Sequence, residues 1–171
     1  FRKFLGAVFL FGMGDFAPSL LILLAVSSLK EVMPTERAAA YATGLYLFRN
    51  VMYAAFSMIA GHLADRFKKN VLLSLGYGLG AAMALTVILF PLNLTTLIIV
   101  FALSGIYVAI EETLEDSFCA ELVEKNNHGM AFGTLATING VGDFFSSMIV
   151  GALWTALGQQ IAFSYTAILF I

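Results

Sequence analysis

Charge is scarce in this chain of 171 residues: 12% are Asp, Glu, Lys or Arg, while 60% are hydrophobic. A soluble domain carries about 25% charged and about 45–50% apolar residues, so both departures point to lipid as the solvent. Mean hydropathy is +0.91. The formal net charge is −2. With no excess of cations to neutralise phosphates, nucleic acid is not an expected partner. The single cysteine, Cys119, excludes an internal disulfide and has no metal-ligand spacing around it. His62 and His128 lie far apart beside expected loops, so neither a metal centre nor a cofactor is expected. "GYGLGA" at 76–81 lies inside an apolar run with no strand before it, which rules out a nucleotide-binding loop. Proline is limited to three residues, and no Pro- or Ser-rich linker divides the chain. It reads as one body.

What the sequence does have is apolar runs. A spanning helix needs about 20 mostly apolar residues. Such runs cover about 4–28, 41–63, 71–90, 95–118 and 130–156, with a sixth, partial run over about 160–171. The connections are short, and an unpaired backbone cannot lie in hydrocarbon, so consecutive spans are expected to run antiparallel as helices. The expectation is an all-α, multi-pass membrane bundle. "FRKFLGAVFLFGMG" resembles a signal peptide at first sight, but the apolar run continues past Pro18 without a small-residue cleavage site. The chain starts without Met and stops inside an apolar run, so it reads as a piece of a longer protein. Loop cations set the orientation. A cytoplasmic N-terminus puts Arg2, Lys3, Arg66, Lys68, Lys69 and Lys125 inside and only Lys30 and Arg37 outside.

The few charges within the spans are informative, because each costs at least ~2.5–3.5 kcal/mol at mid-bilayer unless it faces a partner or a cavity. Counted along the helices, Asp15 falls near the middle of the first span and Asp143 near the middle of the fifth. Arg49 lies in the outer half of the second. Glu111, Glu112, Glu115 and Asp116 occupy the inner half of the fourth, the last two close to the headgroup zone. The third span and the visible part of the sixth hold no charge. Four spans therefore face something polar and two face lipid. Tyr46, Arg49, Asn50 and Tyr53 share one helix face, and Asn139, Asp143 and Ser146 another. Arg49 either contacts an anionic or aromatic cargo, as a guanidinium can, or neutralises Asp15 or Asp143. The crowded carboxyls of Glu111 and Glu112 are candidates for carrying protons.

The charged stretch "GHLADRFKKN", Gly61 to Asn70, separates the second and third spans. It resembles the loop signature of the major facilitator superfamily, Gly-x-Leu-Ala-Asp-Arg-x-Gly-Arg-Lys. Gly61, Leu63, Ala64, Asp65 and Arg66 match, Lys69 stands for the signature's arginine, Lys68 replaces its second glycine, and Asn70 departs. The later spans are also similar to that family at Glu112, Glu115, Ala120, Gly129, Ala131, Gly133 and the "GALW" of 151–154. The resemblance implies that residues 1–171 are the C-terminal six-helix half, helices seven to twelve, with a 3+3 inverted repeat. It implies a partner N-terminal half, a plasma-membrane setting and a loop (Gly61, Asp65, Arg66, Lys69) that latches the cytoplasmic side. Asp15, Tyr46, Arg49, Asn50, Tyr53, Glu111, Glu112, Asn139 and Asp143 are then the candidate contacts for solute or protons. The function expected is secondary transport of small solutes. A non-transporting sensor on the same fold is the alternative. An intramembrane acid–base enzyme using Glu111 and Glu112 fits poorly, since adjacent helical residues point about 100° apart.

Overall fold

The computed structural model describes residues 1–171 as helices joined by short turns. In chain order they are α1 (Arg2–Gly12), α2 (Pro18–Leu29), α3 (Thr35–Ala64), α4 (Lys69–Leu89), α5 (Leu94–Leu122), α6 (His128–Leu157) and α7 (Gln159–Phe170). A single 3₁₀ turn, Lys125–Asn127, leads into α6. At 29 residues, α5 is about 44 Å long, more than the ~30 Å of a bilayer's hydrocarbon. Local chemistry fixes the ends. The Asn93 side chain accepts the Thr96 backbone N–H at 3.0 Å and starts α5. Gly158, at φ 91°, lets α6 turn directly into α7; a side chain would be strained there.

The first span is not the continuous helix expected over about 4–28. It is broken between Gly12 and Pro18. Pro18 has no N–H to give the preceding turn and clashes with a carbonyl four residues back, so it can only open a new helix, as it does at the first position of α2. The freed backbone groups are satisfied from elsewhere. The Asp15 carboxylate accepts the Phe16 N–H at 2.9 Å, Ser147 on α6 accepts the Ala17 N–H at 2.8 Å, and Tyr165 on α7 donates to the Met13 carbonyl at 2.9 Å. A break at membrane depth is tolerated when protein re-satisfies the backbone in this way.

The helices close into a ring in which α2 packs on α3, α3 on α5, α5 on α4, α4 on α7, α7 on α6, and α6 on α1. Pairing of the second span with the fourth (α3 with α5) is matched by the first with the fifth (α1 with α6), as two inverted three-helix repeats require. Both crossings are made by glycine. A Cβ on Gly105 of α5 would meet the Arg49 carbonyl oxygen of α3 at 2.5 Å, and one on Gly142 of α6 would meet the Gly12 backbone of α1 at 3.1 Å. The main core lies toward the α2 end of the ring around Phe16, Leu24, Phe101 and Phe163. The glycine edge of α6 behaves differently from the packing seam that small residues imply: a methyl group at Gly129, Gly133, Gly140 or Gly151 would find nothing within 4 Å. Together with exposed Met130, Phe144 and Met148 they leave one face of α6 open.

Candidate functional site

Between α5 and α6 lies a cleft of about 340 Å³. Its polar walls are Glu112, Glu115 and Asp116 from α5 and Asn139 and Asp143 from α6, and no cation lines it. The cleft exists because α6 packs on α1 and α7 and touches α5 only lightly.

Glu115 organises this region, although counting residues along its helix put it near the headgroups. Only 1% of it is exposed. Its carboxylate accepts the Tyr77 hydroxyl of α4 at 3.0 Å and the Asn139 amide of α6 at 2.8 Å. Three helices thus meet on one carboxylate, whose burial is tolerable because both oxygens are hydrogen-bonded. The uncharged helices are therefore not mere shields: α4 supplies Tyr77 to this network and α7 supplies Tyr165 to the break. The sequence offered one hint, the Tyr77 hydroxyl in a mostly apolar span.

Glu111 and Glu112 separate. Glu112 is exposed in the cleft and accepts the Tyr53 hydroxyl of α3 at 2.5 Å. Glu111 is buried one turn from Tyr107, whose enclosed hydroxyl lies beside it. Around Tyr107, Phe170 and Tyr77 form an aromatic group, with Phe11 stacked on Tyr77 at 3.9 Å. The two glutamates do not converge on a shared point.

Arg49 pairs with neither Asp15 nor Asp143. Its Nε donates to Ser104 Oγ on α5 at 2.9 Å, and Nη1 donates to Asn50 at 3.4 Å. The chain's one ion pair is elsewhere, between Lys69 and Glu121. Arg49 is buried, yet none of its guanidinium nitrogens is both enclosed and unpartnered. Its charge acts on Asp15 from a distance, although no ion pair forms. Tyr46 departs from the expected polar group: it packs against the main apolar core. Asp15 and Asp143 are half-buried, the first held by the break and the second on the cleft wall.

In the stretch Gly61 to Asn70, α3 ends at Ala64 and α4 begins at Lys69. Asp65 and Arg66 are exposed and make no ion pair. Lys69 reaches the C-terminal end of α5 through Glu121, a partner that sequence reasoning missed. A Cβ on Gly61 would meet the Thr113 methyl of the same helix at 3.8 Å.

A bundle with long apolar helices, three of them able to cross a bilayer by length and composition alone, and with its ionisable groups gathered on α3, α5, α6 and the break, is an integral membrane protein. The Major Facilitator Superfamily matches residues 4–171, and the chain belongs to that family. It is 29% identical over 127 residues to an uncharacterised MFS-type transporter of Methanocaldococcus jannaschii. That match covers 74% of this chain and 31% of the relative, so the chain spans well under half of the archaeal protein. No solved structure matches it.

Proposed function

We propose that the protein is a secondary transporter that moves a small solute by alternating access, and that this chain is its C-terminal six-helix half. The observation that carries the reading is the α5–α6 cleft: four carboxylates and an amide gathered between two long apolar helices in a chain otherwise short of charge. Such groups mark solute and ion pathways in membrane proteins. Transport by this fold requires two halves to rock about a site near the midplane, and the open face of α6 would meet the N-terminal half there.

Asp15, Arg49, Asn50, Tyr53, Glu112, Asn139 and Asp143 are the proposed solute contacts, with Glu111 and Glu112 the proposed proton carriers. Tyr46 is better assigned to packing. A cleft with carboxylates and no lining cation favours a cationic cargo or protons, while Arg49 on α3 offers the only buried positive charge. Gly61, Asp65, Arg66 and Lys69 form the proposed latch, with Lys69 already tied to Glu121 and with Asp65 and Arg66 free to engage the opposite half. The excess of loop cations on that side supports a plasma-membrane orientation with this loop and the N-terminus of the chain in the cytoplasm.

The test is flux in proteoliposomes containing the full-length protein, with and without a pH gradient. Uptake of a solute that is accelerated by an inward proton gradient, and that is lost in Asp143→Asn, is expected. Ligand-dependent conformational change with no flux of any bound solute would place the protein among sensors and overturn the transport reading.

A further inference from the structure

Two apolar hollows on the outer side of α4 run into one another. One, of about 440 Å³, lies between α3, α4 and α5 and has Gly78, Ile110 and Leu114 in its walls. The other, of about 500 Å³, lies toward the charged loop and is walled by Phe67, Lys68 and Val71. Leu63, Leu72 and Leu75 line both, so the two are one groove. It is apolar along its length except for Lys68 at the loop end and Ser74 part way along. Gly78, itself exposed, lines the end far from the loop, where a methyl would meet nothing within 4 Å.

The mouth is basic. Arg66 and Lys68 are exposed and in no ion pair, whereas Lys69 is occupied by Glu121. Asp65 is the one carboxylate in the stretch Gly61 to Asn70. A lysine at the end of an apolar groove can lay its stem along the hydrocarbon and hold its ammonium at the water boundary. A molecule that fits must be hydrocarbon at one end and anionic at the other.

We propose that this groove holds one acyl chain of an anionic phospholipid, with the lipid phosphate on Lys68. The site lies on the outer face of α4, away from the α5–α6 cleft, and depends on the chain being embedded in a bilayer and not on the transport reading. A lysine near an anionic lipid surface is worth about a fivefold change in binding.

Native mass spectrometry of the full-length protein in detergent, titrated with dioleoyl phosphatidylglycerol or dioleoyl phosphatidylcholine, tests it. The wild type should retain one phosphatidylglycerol about fivefold better than phosphatidylcholine. Lys68→Gln should remove that preference and leave phosphatidylcholine retention unchanged. Gly78→Leu, which fills the end far from the loop, should weaken retention of both lipids. Glycerol phosphate, a headgroup without tails, should not compete. Should Gly78→Leu fail to fold, the exposed Lys68→Gln variant still decides the matter. Equal retention of the two lipids by the wild type, or an undiminished preference in Lys68→Gln, would mean annular lipid only and overturn the assignment. Competition by glycerol phosphate would overturn it as well, because the groove would then play no part.

Discussion

Replacing Gly105 with alanine tests how tightly α3 and α5 are locked. The added methyl would meet the Arg49 carbonyl oxygen at 2.5 Å, Met52 Cβ at 2.9 Å and the Tyr53 nitrogen at 3.2 Å. Two of these are backbone atoms of a 30-residue helix, so no side chain can swing aside. Ordinary contact is near ~3.5 Å, and α3 must therefore retreat by about 1 Å. Overpacking of this kind costs ~1–3 kcal/mol, and rigid neighbours put it toward the upper end. Alanine returns about 1 kcal/mol in helix propensity. The net expectation is a loss of roughly 1–2 kcal/mol. The same retreat stretches the Arg49–Ser104 and Tyr53–Glu112 hydrogen bonds, which cross this seam. Gly44, on the same helix, has nothing within 4 Å and serves as the control; Gly44→Ala should be neutral or stabilising by up to about 1 kcal/mol. Thermal unfolding of the full-length protein in detergent compares the two. Gly105→Ala melting with or above Gly44→Ala would refute the packing argument.

Glu115→Ala should destabilise the bundle by roughly 2–3 kcal/mol, because the Tyr77 hydroxyl and the Asn139 amide lose their acceptor, whereas Glu115→Gln keeps one acceptor and should cost less. Equal melting temperatures for the two variants would remove Glu115 as the three-helix junction. Asp65→Asn should slow uptake while leaving membrane insertion and melting temperature unchanged, since Asp65 is exposed and unpaired within this chain. Unaltered uptake kinetics would count against the latch.

The multi-pass helical character was legible because charge is so rare here that each apolar run stands out, and the loop at 61–70 was legible because five charged or titratable residues sit together in an apolar chain. The break at Asp15 was hidden by the same greasiness. Leu and Val on both sides of Pro18, with Phe before it, made one continuous run, although Gly14 and Pro18 carried the signal for an interruption. The burial of Glu115 was hidden for a different reason. Depth counted along one helix says nothing about neighbours, and it is Tyr77 and Asn139, from two other helices, that permit its burial. Arg49 could not have been matched to Ser104, nor Lys69 to Glu121, since these pairs are 55 and 52 residues apart and involve no periodicity. The open surroundings of the α6 glycines became apparent only in three dimensions.

The central claim is that the α5–α6 cleft is a water-filled path that opens to one side of the membrane at a time. Cysteine placed at Asp143 measures this directly in the full-length protein, read against labelling of the protein without that substitution; Cys119 of this chain is buried. A membrane-impermeant thiol reagent should label Asp143→Cys from one side of sealed vesicles, and a transported solute or a latch substitution such as Asp65→Asn should shift that labelling toward the other side. Absence of labelling from both sides in every condition, with the variant folded and inserted, would contradict the account.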